Sequence, residues 1–334
     1  MIFNSPSELI FDQIFLRVED IIPASVHLKL EGISITGSIK VKAAKHMIES
    51  LERSGRLQPG YRVIESSSGN LGVALSMVCA EKGYGFTCVS DPNISPQAAR
   101  LITAYGAELI TITKRDANGG YLGTRIDLIQ DLLRQDPKAI WVNQYENTEN
   151  VNAHYLTTGH SILKEFPKVD YLFVGAGTTG TLGGVSSYFR DHSPRTKIIA
   201  VDTAGSVTFG FPSGKRYIPG LGTSRPPPIR RYSYYDDMVM VPEEETVAMC
   251  QRLARSGIFL GGSSGTVLVA VSKFGKEIPA DASVVAISPD LGDRYLDTIY
   301  NPSWVDERFP ALQNDINSPS GLTLPIRDAD NART

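Results

Sequence analysis

Short apolar runs alternate along the chain with longer stretches whose apolar positions recur at helical spacing. The runs at 26–30, 62–65, 86–90, 109–112, 140–143, 171–175, 198–202 and 284–288 read as strands. Helical patterns fall between them, near 38–54, 70–82, 95–105, 120–135, 152–165, 181–191, 243–256 and 264–275. Such alternation predicts βα units wound around parallel sheets. Segment 70–82 (NLGVALSMVCAEK) is apolar nearly all round, which predicts a helix buried between layers. The connection at 203–230, rich in Gly, Pro and Ser, is longer than usual and so is either functional or mobile. From about 311 the chain turns polar and loses periodicity, so 311–334 is expected to be a disordered tail.

Length and composition narrow the class. A chain of 334 residues suits about two domains. Its 42% apolar and 21% charged residues are a globular mix and exclude disorder on a large scale. Lys and Arg total 33 against 36 Asp and Glu, and no segment is basic enough for a nucleic-acid footprint. The longest apolar runs fall short of a membrane span. The first residues lack a cationic start and carry Glu8 and Asp12, unlike a signal peptide, so a cytoplasmic protein is expected. Cys79, Cys88 and Cys250 form no CxxC pair and have no histidine at ligand spacing, which predicts reduced thiols and no metal site. A small molecule is the expected partner.

Three segments carry chemistry. GAGTTGTLGG (175–184) joins a strand to a helix, where glycines let backbone approach a ligand and the helix start offers free N–H groups to an anion. With Asp202 ending the next strand it also fits a dinucleotide fingerprint, and an NAD-binding dehydrogenase is one reading. Thr178, Thr179 and Thr181 suit a terminal phosphate better. ESSSGNLG (65–72) sets Ser66, Ser67, Ser68 and Asn70 over a second helix start, a carboxylate-sized cradle or a plain N-cap cluster. In GSIKVKAAK (37–45), Lys40 stands between Ile39 and Val41, where desolvation would free its amine as nucleophile or base, although a solvated helix-face lysine is the commoner case. A phosphate cup, a carboxylate cup and a reactive lysine together describe pyridoxal 5'-phosphate holding an amino acid.

GSIK at 37–40, SSSGN at 66–70, GTTGT at 177–181 and GGSSG at 261–265 stand in the order found in the cysteine synthase and cystathionine β-synthase family, which this chain resembles over roughly residues 10–305. The resemblance implies an α/β fold-type II pyridoxal-phosphate enzyme, similar to the tryptophan synthase β subunit, with two βα domains around parallel-rich sheets. Residues 1–45 and 146–310 would form a large cofactor-binding domain and 46–145 a small mobile substrate domain. Lys40 resembles the Schiff-base lysine and Asn70 the residue that bonds the cofactor ring hydroxyl. Ser67, Ser68 and Gln144 resemble the substrate-carboxylate binders, and Gly177, Thr178, Thr179, Gly180 and Thr181 the phosphate loop. Ser263, or its neighbour Ser264, resembles the serine at the pyridine nitrogen. Three positions depart from the pattern: Thr179 where glycine is frequent, Lys42 where arginine is common, and Asp290, which would bring a charge near the ring.

The family performs β-replacement on an activated serine, and relatives differ in the nucleophile. RYIPGLGTSRPP and DLGDRYLD resemble the branch that joins O-phospho-L-serine to L-glutamate, supplying a 2,3-diaminopropionate precursor for siderophores and peptide antibiotics. On that resemblance Arg216 and Arg225 would grip the acceptor's carboxylates, with Tyr155 and Ser186 facing the same site. The alternative is an ordinary cysteine synthase taking O-acetyl-L-serine or O-phospho-L-serine with sulfide. A homodimer is expected on the same grounds.

Overall fold

Two separate sheets divide the apolar runs between them in the computed structural model, which describes residues 2–116 and 120–312. The larger is built from β1 (Phe15–Val18), β2 (Val26–Leu30), β7 (Tyr171–Gly175), β8 (Lys197–Thr203), β9 (Asp237–Val241) and β10 (Val284–Ser288). Its order is β1-β2-β10-β7-β8-β9, parallel throughout except for the β1–β2 pair. The smaller holds β3 (Arg62–Ser66), β4 (Gly85–Ser90), β5 (Glu108–Thr111) and β6 (Ala139–Trp141) in the order β5-β4-β3-β6, all parallel. The chain is thus an α/β fold.

Helices cover both faces of each sheet, as parallel strands require. On the small sheet, α1 (Lys40–Arg53), α2 (Asn70–Lys82) and α3 (Pro96–Ala104) pack one core, and α4 (Leu122–Gln135) closes the other face through Ile129 against Ile64 and Val89. Helix α2 occupies the predicted span and buries Leu71 through Cys79, ending at Gly83, whose φ of 75° only glycine adopts freely. Ser95 starts α3 by accepting the Ala98 N–H at 3.1 Å, with Pro96 at the first helical position. On the large sheet, α8 (Glu243–Arg255) and α9 (Gly262–Phe274) cover one face, and α6 (His160–Glu165) and α7 (Gly180–His192) the other.

Differences from the predicted elements have local causes. Edge strands β1 (FLRV) and β9 (DMVMV) are absent from the predicted set although both are largely apolar; each lies at a sheet edge and is only partly buried. The helical pattern at 152–165 is three pieces: α5 (Glu149–His154), a π-helical turn (Tyr155–Gly159) and α6. A short helix, α10 (Pro302–Arg308), was not foreseen. Most of the predicted tail, from 313, lies outside the described residues. Among those described, no helix is long and apolar enough to cross a membrane. The three thiols are buried, and burial pushes each up to about 12.

Candidate active site

Each sheet has a place where the chain order reverses, and there the carboxyl ends of two neighbouring strands leave a crevice. In the small sheet the reversal separates β3 from β6. Ser66–Ser68 follow β3 and Gln144 follows β6, so the two are brought together: Gln144 Nε2 donates to Ser66 O at 2.9 Å. Glu65, fully buried beneath them, accepts the Ser66 N–H at 2.9 Å and the Gln144 N–H at 3.3 Å. Burial raises its carboxyl to about 7 although those N–H groups favour the charged form. Ser67 Oγ accepts the Gly72 N–H at 3.0 Å and caps the first turn of α2, while Ser68 is half-buried.

In the large sheet the reversal separates β7 from β10. Residues 176–181 pass from β7 into α7, and Thr179 stands at the start of that helix with φ of 69°, a conformation strained for a β-branched residue. Its hydroxyl is buried with no hydrogen-bond partner among the described residues. Gly177 has no room for a side chain, since a Cβ would meet Gly220 O at 2.6 Å. Thr178 Oγ1 accepts from Asn150 Nδ2 at 3.1 Å, and the same Nδ2 donates to Gln144 O at 2.9 Å. Asn150 therefore ties the crevice of one sheet to that of the other.

Lys40 opens α1 beside these two crevices. Burial lowers its amine to about 8, with Asp290 pulling the other way. Asp290 follows β10 and bridges the halves: its Oδ2 accepts from Asn70 Nδ2 at 2.7 Å and from Tyr295 OH at 2.9 Å. Arg294 donates to Asn70 Oδ1 and to Thr36 O. Asp290 is itself buried, and burial raises its pKa. Ser263 and Ser264 begin α9, both buried; Ser264 Oγ lies 2.7 Å from Ser288 Oγ, and Ser263 Oγ sits against the Gly220 backbone.

Three expected residues lie apart from this cluster. Tyr155 OH donates to Asp191 at 3.0 Å, and Asp191 is eleven residues along α7 from Gly180, roughly 16 Å from the start of that helix. Ser186 is fully buried inside the fold, where its Oγ accepts the Tyr234 N–H at 3.0 Å. Arg216 turns inward, donating to Leu221 O at 3.2 Å near the buried carboxylates of Asp202 and Glu243. Arg225 is exposed on the same long connection, which is stitched to the turn before α7 by Gly222 N donating to Ala176 O at 2.8 Å.

Glu65, Asn150, His154 and Arg125 were not singled out in the sequence. A carboxylate closing an apolar strand was the signal at Glu65. Arg125 shares the buried face of α4 with Leu122 and Ile129, and pairs with Asp91 at 3.2 Å.

The model of a pyridoxal-phosphate dependent enzyme matches residues 15–290. The chain belongs to that family. It is 40% identical over 291 residues to N-(2-amino-2-carboxyethyl)-L-glutamate synthase of Ralstonia nicotianae, covering 86% of each chain. The protein of the same name from Cupriavidus metallidurans is 39% identical, covering 84% of each. Among solved structures, O-ureido-L-serine synthase superposes with a TM-score of 0.83 at 30% identity, covering 94% of this chain and all of that one. The O-acetylserine dependent cystathionine β-synthase from Helicobacter pylori gives 0.83 at 26% identity, covering 90% of this chain and all of that one. The dehydrogenase reading falls with the family match. Asp202 is buried and accepts the Thr203 N–H at 2.8 Å.

The residues present fit pyridoxal phosphate. A helix start with an unpartnered, buried threonine hydroxyl suits its phosphate, and a lysine with a depressed pKa suits its aldehyde. Ser38 and Ser66, close in sequence to Lys40 and Asn70, likewise carry buried hydroxyls with no partner among the described residues.

Proposed function

We propose that this protein is a β-replacement synthase that joins O-phospho-L-serine to the amine of L-glutamate, giving N-(2-amino-2-carboxyethyl)-L-glutamate, a 2,3-diaminopropionate precursor. The observation that carries the reading is the 40% identity, spread over 86% of the chain, to a relative of that name. In the net reaction the Cβ–O bond of the donor breaks, phosphate leaves with the electron pair, and a Cβ–N bond forms as the amine loses a proton.

Bound pyridoxal phosphate supplies the electron sink that makes the donor's Cα proton removable and its β-substituent a leaving group. Lys40 holds the cofactor and, once its amine is free, takes the proton at Cα and later returns it. The α7 start, from Gly177 to Thr181, binds the phosphate with N–H groups and threonine hydroxyls. Ser67, Ser68 and Gln144 bind the donor carboxylate, and Asn70 orients the cofactor ring. Ser263 or Ser264 offers the ring nitrogen a neutral hydroxyl, which favours loss of the β-substituent over transamination. Residues 46–145 act as the small substrate domain, moving over the large one, and Arg225 binds an acceptor carboxylate. Tyr155, Ser186 and Arg216 support the acceptor side from behind, holding α7 and the long connection in place.

A second reading, O-acetylserine or O-phosphoserine sulfhydrylase, is supported on the donor side by the likeness to an O-acetylserine dependent enzyme at 26% identity and a TM-score of 0.83. Offering each donor with glutamate or sulfide, and weighing the product, separates the two. The amino-acid adduct is expected; cysteine formed with glutamate ignored would assign the chain to the sulfhydrylases.

A further inference from the structure

His154 ends α5 fully buried, between the phosphate turn and α1. Its Nε2 lies 3.3 Å from Thr181 Oγ1 and its Nδ1 3.0 Å from Thr158 Oγ1. A neutral imidazole keeps its hydrogen on either nitrogen, so the neighbours decide which.

The deciding neighbour is Lys42. Its Nζ reaches the same Thr158 Oγ1 at 3.1 Å, and it is buried against Glu31 at 2.7 Å and against Asp12. An ammonium only donates. Thr158 Oγ1 therefore accepts from Lys42, and among the described residues His154 Nδ1 is the only acceptor within reach of its buried hydrogen, so satisfying that hydrogen makes Nδ1 the acceptor. With Nδ1 accepting, the ring hydrogen sits on Nε2 and is donated to Thr181 Oγ1. Thr181 Oγ1, now an acceptor from His154, has its own hydrogen free to point into the helix start. We infer that Lys42, Thr158 and His154 form a one-way hydrogen-bond relay that fixes His154 as the Nε2–H tautomer and presets the Thr181 hydroxyl as a donor to the phosphate.

The surroundings keep the ring neutral. Burial, followed by the charges of Lys40 and Lys42, holds His154 well below its ordinary pKa. Thr158 belongs to the π-helical turn, an irregularity that concentrates at functional sites. Through the relay, the Lys42 charge polarises the phosphate turn with no cation placed inside it. His154 is a positioning residue here, and the inference rests on 177–181 being the phosphate turn.

The test uses holoenzyme labelled with 15N-histidine. Long-range 1H–15N correlation is expected to show His154 with Nε2 protonated and Nδ1 bare from mildly acidic to alkaline pH. An Nδ1–H tautomer or an imidazolium overturns the relay. Thr158→Val removes the hydroxyl and leaves Lys42 paired with Glu31 and Asp12, whereas Lys42→Met would strand those carboxylates. Thr158→Val should mix the tautomers and speed cofactor release roughly five-fold, and Thr158→Ser should restore both. Unchanged tautomer and release in Thr158→Val overturn the inference. Thr181→Ala isolates the underlying assignment: unchanged cofactor retention there removes the phosphate turn and the relay with it. Weaker retention in Thr181→Ala, combined with the wrong His154 tautomer, removes the relay alone.

Discussion

At the residue scale, the chemistry turns on how burial alters single groups. Lys40 is lowered from 10.5 to about 8, so in cofactor-stripped protein its amine is neutral above that pH and charged below it. Covalent capture of pyridoxal phosphate by the stripped protein should rise through pH 8, and a midpoint near 10 would contradict the burial argument. Between 8 and 10.5 the unfolded chain binds more protons than the folded one, so the stripped protein should gain stability as pH rises through that window. Lys40→Ala should lose covalent cofactor and turnover together. Thr179 presents the opposite balance, a strained backbone kept alongside an unpartnered hydroxyl. Thr179→Gly should raise the melting temperature of the stripped protein by relieving about 1 kcal/mol of strain, while the holoenzyme sheds cofactor faster. Lys40 and the turn at 177–181 could be singled out as candidates because local motifs carry them. The burial of Lys40 was not decided locally: apolar Ile39 and Val41 allow a desolvated lysine, but the same segment fits a helix-face lysine in solvent.

At the element scale, the end of β3 sets the geometry of the proposed donor site. Glu65 closes an apolar strand, and its two oxygens separately accept the N–H groups of Ser66 and Gln144, which lie on different strand ends. A protonated carboxyl accepts well at only one oxygen. With its pKa raised to about 7, Glu65 should loosen Gln144 as pH falls below 7, and the donor KM should rise. Burial of the charge also means that the folded chain holds this proton more tightly between 4.5 and 7, so Glu65 lowers stability as pH rises through that window. Glu65→Gln replaces one acceptor by a donor facing an N–H. It should raise the donor KM by about 1–3 kcal/mol and remove the pH dependence near 7; a donor KM that stays at the parent value would show that the tie to Gln144 is idle. Strand and helix positions were largely legible here from periodicity. The π-helical turn was not, because its side chains keep a helical pattern and only the backbone hydrogen bonds change.

At the scale of the whole molecule, two crevices on two sheets must meet across one lysine. The bridges that align them join residues far apart in sequence: Asn70 to Asp290, Asn150 to Thr178, Arg294 to Thr36. Motif order implied that these parts belong together, but no local pattern could say which side chains would join them. The acceptor side is the sharpest case, because its two candidate arginines sit nine residues apart on one connection and differ completely in surroundings. Arg216 is packed against Gly222 and balanced by buried carboxylates. Arg216→Ala should therefore loosen the connection that covers the phosphate turn, lowering the melting temperature and speeding cofactor release along with any effect on the acceptor. Arg225 is exposed, and a contact there is worth at most about 1 kcal/mol. Arg225→Ala should raise the glutamate KM by up to roughly five-fold and leave stability, cofactor retention and the absorbance change produced by donor alone untouched. Stopped-flow spectra with donor alone, then with glutamate added, separate these effects. If Arg225→Ala slows the donor step as much as the acceptor step, the long connection is not an acceptor site.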